Sequence, residues 1–195
     1  MVSRGKWVLG FLASAYLAAC TTVPLASLVK LSTIDLGHTP PEQMRVAFIV
    51  PQILNVRPGD MVMKVHLKLA DGSFDSTRSL VLEEENSPAP ASVKSMVGAG
   101  QAIHIMKLQQ ADAEAYRKLQ EVFTANQAPD KRKKGSLDIN FSSQACAIGP
   151  VQGPMLASAA IKTAELSDYT VLFANIDLID MAKQAGEKAE IKPCA

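Results

Sequence analysis

Beyond about residue 25 the commonest pattern along this chain is alternation of apolar and polar positions, which predicts strands. In the clearest case Met61, Met63, Val65, Leu67 and Leu69 fall on one face, with Lys64, His66 and Lys68 on the other. That is the pattern of a half-buried strand in an antiparallel sheet. Asp71-Gly72-Ser73 supplies a hairpin turn, and Phe74 to Leu82 returns before Glu83-Glu84-Glu85 and the Pro88-Ala89-Pro90 break. Leu25 to Ile34 and Met44 to Val50 read as earlier strands, separated by a turn at Gly37 to Pro41; Asn55 to Asp60 is the loop that opens the Met61 strand. Gln101 to Leu108 and Ser136 to Cys146 follow as strands, the second with Leu137, Ile139 and Phe141 inward. Met155 to Ala164 and Tyr169 to Ile176 form a last hairpin that turns around Glu165 to Asp168.

A helical period interrupts this pattern from about Ala111 to Asn126. Ala115, Leu119, Val122 and Phe123 share a stripe flanked by Tyr116, Asp112 and Glu114 sit in the first turn, where negative charge suits the helix dipole, and Pro129 stops the run. A short helix from about Asp177 to Ala185 precedes the polar tail. About seven to eight strands with one inserted helix and a short C-terminal one predict a mainly β fold. It is either an antiparallel β-sandwich or an α+β layer, because a doubly wound fold would alternate helix after strand.

The first 20 residues follow a different grammar. Arg4 and Lys6 precede an uncharged stretch from Trp7 to Ala19, too short for the roughly 20 apolar residues that span a bilayer. Leu17-Ala18-Ala19-Cys20 closes it and resembles the lipobox of bacterial lipoproteins. That resemblance implies that residues 1–19 are a signal peptide removed on export. It also implies that the Cys20 thiol carries a diacylglycerol and that the freed amine is often acylated too, with chains such as palmitate. Two or more chains hold firmly where one binds marginally. With Thr21 rather than aspartate after the cysteine, the lipoprotein class implies the outer membrane facing the periplasm. An ordinary signal peptide cut near Ala18 or Ala19, with Cys20 free, or a buried N-terminal helix are the alternatives. On the lipoprotein reading residues 20–25 are a short tether and 26–195 a single globular domain lying close to the membrane surface.

Composition changes this picture little. Twenty basic and 19 acidic residues nearly balance, and removal of Arg4 and Lys6 leaves a slight negative excess. No net basic field argues for nucleic acid as a partner. Cysteine count matters more. With Cys20 acylated, Cys146 and Cys194 remain in a compartment that favours oxidation, which predicts a disulfide pinning the tail to the strand region of Cys146. On the chain-entropy account that staple is worth about 4 kcal/mol.

Chemistry is sparse. His38, His66 and His104 are scattered without metal-ligand spacing, and His66 lies between two lysines, so neither a metal nor another cofactor is expected. Ser27 and Lys30 match S-x-x-K, while Lys162-Thr163-Ala164 and Ser167-Asp168-Tyr169 approach the other two signatures of penicillin-recognising enzymes. Their order is wrong, the last residue of each is changed, and Ser27 sits seven residues from the acylated cysteine. No G-x-S-x-G elbow or phosphate loop occurs, and acid pairs such as Asp35 with Glu42 or Asp138 with Asp177 have nothing to rank them. Lys131 to Lys134 is the densest charge run, either a solvated loop or a contact for lipid phosphates. Eight methionines, Met61 and Met63 among them, are either core filler or the lining of an adaptable pocket.

The expectation is therefore a non-enzymatic, membrane-anchored extracytoplasmic lipoprotein that binds another envelope protein as an assembly or accessory subunit. One alternative is a periplasmic module for lipid or small-molecule cargo, with a pocket lined by residues such as Met61, Met63, Met106 or Phe141. The other is an envelope hydrolase whose site carries no recognised motif.

Overall fold

The computed structural model describes Ser27 and residues 30–127, 135–184 and 191–194. Cys20, the proposed signal peptide, the tether and Lys131 to Lys134 lie outside the described residues. The fold is mainly β: one curled antiparallel sheet with a long helix packed on it. Strand β1 (Arg45–Pro51) leads through the two-residue β2 (Leu54–Asn55) into β3 (Met61–Leu69) and β4 (Asp75–Glu84). A single-turn helix α1 (Ala91–Lys94) precedes β5 (Gln101–Leu108), the long helix α2 (Gln110–Gln127) and β6 (Gly135–Ser143). Then come β7 (Cys146–Ala147), β8 (Leu156–Lys162), β9 (Thr170–Asp177) and α3 (Leu178–Gln184). Seven strands form the sheet in the order β6-β3-β4-β5-β1-β8-β9, and β2 pairs separately with β7.

Burial follows the residue pattern strand by strand. The alternating β3 buries Met61, Met63, Val65, Leu67 and Leu69 and leaves Lys64 and Lys68 exposed, so one of its faces is covered. The unbroken apolar run in β1 is covered on both faces. Val46, Phe48 and Val50 join the main core under α2, whereas Ala47 and Ile49 face a smaller cluster built around Val93 of α1. That one-turn helix follows the Pro88-Ala89-Pro90 break and acts as a plug, Val93 being fully buried.

Helix α2 sits one residue wider at each end than its period predicts, and its stripe is rotated. Tyr116, expected at the flank, is completely buried, with Ala113, Leu119 and Gln120 beside it. Polar bonds explain the rotation. The Tyr116 hydroxyl donates to the Leu36 carbonyl at 2.9 Å, and Gln120 Nε2 donates to the Leu36 and Thr39 carbonyls, both at 2.8 Å. Gly37 belongs to the same contact: a Cβ there would stand 2.9 Å from the Phe123 ring.

Of the segment expected as a strand from Leu25 to Ile34, Ser27 and Lys30 to Ile34 are described, and these are not strand, while Leu25, Ala26, Leu28 and Val29 lie outside the described residues. Lys30 and Leu31 finish a helical turn, and the Thr33 hydroxyl and N–H both donate to the Lys30 carbonyl, at 2.7 and 3.1 Å. Such local bonds compete with a strand ladder. The Ser136 to Cys146 strand is also split. Its ladder with β3 ends at Ser143, the Gln144 N–H turns to the Asp60 carbonyl, and Cys146 begins β7.

Cys146 and Cys194 are joined by a disulfide with their Cα atoms 4.9 Å apart. Around it the tail is laced to β7: Ala147 N–H donates to the Lys192 carbonyl and Cys194 N–H to the Ala147 carbonyl, both at 2.8 Å.

The antiparallel order defines two ends. At the proximal end lie the start of β1, the β3–β4 turn and the β8–β9 hairpin. At the distal end lie β2, β7, the starts of β5 and β8, the disulfide and the start of α3.

Candidate functional site

Helix α2 and strand β4 enclose an open groove of about 390 Å³. Its origin is topological. Strand β5 leaves the sheet at Leu108 to become α2, so it pairs with β4 only from Leu82 to Glu84. The earlier part of β4 has no strand on that side. The start of α2 covers its first open position: the Val81 N–H donates to Asp112 Oδ2 at 2.7 Å, and Gln109 N–H donates to the Val81 carbonyl at 3.3 Å. Beyond Asp112, Phe74, Leu80, Ala115, Leu119 and Val122 form apolar walls. Arg78, Ser79 and Lys118 stand among them.

Arg78 was not singled out from the sequence, though the signal was present. Counting by twos from Leu82 through Leu80 places Arg78 on the core face of β4, and its partner across the ladder is the fully buried Val65. A cation in that register needs a carboxylate or a route to water. Arg78 takes the route: it is exposed and makes no ion pair with any described residue. Lys118, on the helical wall, is likewise exposed and unpaired among the described residues.

A second, shallower groove of about 630 Å³ lies at the proximal end, beside the start of β1. Arg45 spans it, donating to both carboxylate oxygens of Glu85 at 2.7 and 2.9 Å and to the Glu42 and Met44 carbonyls. The Arg45 hydrogen bonds hold the Glu85 carboxyl below its ordinary value of 4.5, against a smaller upward push from burial. Burial likewise raises the Tyr169 phenol. Lys162 and Thr163 meet Ser167 and Tyr169 here because they share the β8–β9 hairpin. Ser27, the nucleophile that S-x-x-K would need, does not line this groove.

The remaining candidates are dispersed. Each histidine is bonded to one carboxylate: His38 to Asp35 at 2.7 Å, His66 to Asp75 at 2.8 Å and His104 to Glu84 at 3.0 Å. None lines either groove. Glu42 pairs with Arg117 rather than Asp35, and Asp138 and Asp177 lie on the two outermost strands. Among the described residues no group of three or more His, Cys, Asp or Glu could hold a metal ion, and no helix is long and apolar enough to cross a membrane.

Met61, Met63 and Met106 are buried in the main core, and the Phe141 ring meets Phe48 edge-on at 5.5 Å. Neither groove touches these four residues. The apolar side chains that do reach solvent are elsewhere. Ile148 is 67% exposed, Met181 42% and Leu156 37%, and all three belong to the distal end. Compared with known proteins, the chain matches no family model, and no curated protein and no solved structure matches it significantly.

Proposed function

We propose that this chain is a lipoprotein of the bacterial envelope, anchored through acylated Cys20, that binds another envelope protein with its distal end as an assembly or accessory subunit. One observation carries the reading: the segment that leads into β1, from Leu36 to Thr39, lies at the proximal end against α2 and the β8–β9 hairpin, whereas Ile148, Leu156 and Met181 stand exposed on elements of the opposite end. A tether of only a few residues would keep the proximal end against the bilayer and turn the apolar end toward the periplasm. A contiguous exposed apolar patch marks an interaction surface, and these three are the exposed large apolar side chains among the described residues. With Thr21 after the cysteine, the outer membrane is the proposed location, and the role is one of binding rather than catalysis.

Two measurements test it. Metabolic labelling with a fatty acid should mark the wild type and not Cys20→Ser; equal incorporation would refute the anchor. Cross-linking in intact cells, followed by purification from gently solubilised membranes, should recover an envelope protein with the wild type. An Ile148→Ser, Met181→Ser double variant should lose it, and equal recovery would reject the distal surface.

A further inference from the structure

We propose that the groove between β4 and α2 binds one acyl chain of a single-chain anionic amphiphile, whose carboxylate or phosphate rests on Arg78 and Lys118. Three features of the groove carry this. Its walls are hydrocarbon, with Leu80 and Leu119 as the buried floor and Phe74, Ala115 and Val122 half-buried along the sides. Its volume of about 390 Å³ falls at the small end of the range that holds a small molecule. Its two cations have no anion of their own among the described residues, and Arg78 stands on the core face of its strand, opposite Val65.

Charge complementarity chooses the occupant. Asp112, the acid of the groove, accepts the Val81 N–H on Oδ2 and keeps its charge, so an incoming anion meets two cations against one carboxylate that is tied to the strand edge. Arg78 offers a planar fork suited to carboxylate or phosphate, and Lys118 a point charge. An apolar chain without a charged head would leave both cations unanswered. A head without a chain would leave the walls wet. The open edge of β4 also offers backbone groups to an extended peptide, but Asp112 and Gln109 have already occupied its first position, at Val81. Neither the groove nor its charges depend on the anchor.

The test is photo-crosslinking of purified full-length protein in zwitterionic-lipid nanodiscs, using palmitate with a diazirine on its chain. A chain that fails to associate with the discs is probed in buffer, so failure of the anchoring reading and failure of this one are told apart. Crosslinks should fall on peptides containing Phe74 and Val122. Unlabelled palmitate or lysophosphatidate should displace the probe, while the neutral hexadecanol, inorganic phosphate and an acidic strand-forming peptide should not. Displacement by only one of the two anions assigns the head as carboxylate or phosphate. An Arg78→Ala, Lys118→Ala double variant should cut the yield about tenfold or more, with Lys118→Arg retaining it. Both cations are exposed, and circular dichroism confirms the fold of each variant. Unchanged yield in the double variant, equal displacement by hexadecanol or by the peptide, or crosslinks spread evenly over the chain would overturn the proposal.

Discussion

The two ends of this molecule are held by different means. At the proximal end the loop from Asp35 to Gln43 is tied down by side chains of α2, through Tyr116 and Gln120 on two carbonyls and Phe123 against Gly37. At the distal end β2 and β7 are two residues each, too short to hold as an isolated ladder, and a covalent bond does the work. A long helix can bring several weak polar contacts to one place. A loop-rich end without a helix of comparable length relies on a crosslink. The contrast also separates roles: the polar lock lies beside the proposed membrane side, and the stapled end carries the exposed apolar groups.

Removing the staple should produce the largest effect. The disulfide closes a loop of 48 residues, so Cys146→Ala with Cys194→Ala should lower stability by about 4 kcal/mol on the chain-entropy account, less where the reduced ensemble keeps structure. Hydrogen exchange locates the damage. Protection at Ala147, Ile148 and their tail partners should fall while the surroundings of Tyr116 stay protected. Equal loss at both ends would mean that they form one cooperative unit and that the contrast drawn above is false.

Why each end was or was not legible in the sequence follows from the same contrast. β3 alternates cleanly, and the Asp71-Gly72-Ser73 turn is local chemistry, so the β3–β4 hairpin could be read directly. The disulfide followed from counting once Cys20 was set aside. β2 and β7 could not be read, because two residues carry no period and their pairing is a long-range event. The stripe of α2 was misplaced for a related reason: Tyr116 and Gln120 are drawn inward by carbonyls about 80 positions earlier in the chain. In the described part of the segment expected as a strand from Leu25 to Ile34, Lys30 to Ile34 form no strand, because Thr33 bonds back to Lys30 rather than to a ladder. Arg78 was the avoidable omission, since an arginine in core register is visible in the spacing alone. The anchor motif, by contrast, rests on sequence throughout.

The next largest effect tests the proximal lock. Gln120 is buried, and Gln120→Ala would strip the Thr39 carbonyl of this donor while Leu36 keeps Tyr116. The expected loss is about 2 kcal/mol, the cost of a buried amide contact left unanswered. Tyr116→Phe should cost about 1 kcal/mol, because Gln120 still serves Leu36. The double variant sharpens the point. Both donors meet at Leu36, so their losses should exceed the sum of the two singles, as measured by denaturant unfolding. Strict additivity would show that the loop is held by other contacts.

Arg45 supplies a smaller, pH-dependent version of the same test. The Arg45–Glu85 pair is mostly shielded from water, with side-chain exposures of 23% and 27%, and its bidentate geometry supports a contribution of about 1 kcal/mol. The Glu85 carboxyl is held below 4.5 in the folded protein, so this contribution is present above 4.5 and is lost as pH falls through the lowered folded value. Arg45→Met should therefore destabilise at neutral pH and flatten the acid limb of the stability profile below 4.5. A parallel profile, shifted down by the same amount at every pH, would mean that the arginine acts through the Glu42 and Met44 carbonyls alone.

The smallest effect on stability should come from the groups with the largest proposed effect on binding. Ile148 is 67% exposed, so Ile148→Ser removes little buried surface and should change the unfolding midpoint by less than about 0.5 kcal/mol in equivalent free energy. Met181, at 42% exposure on α3, should behave similarly. If these side chains serve the distal end's own packing, their replacement would instead expose the neighbouring Ile53, whose carbonyl accepts the Ile148 N–H at 2.9 Å, and exchange would rise there. The two explanations separate in one experiment. Unchanged unfolding with lost capture of an envelope partner assigns the apolar groups to recognition, whereas a loss of 1 kcal/mol or more (roughly 2–4 °C in Tm for a chain of this size) assigns them to the fold.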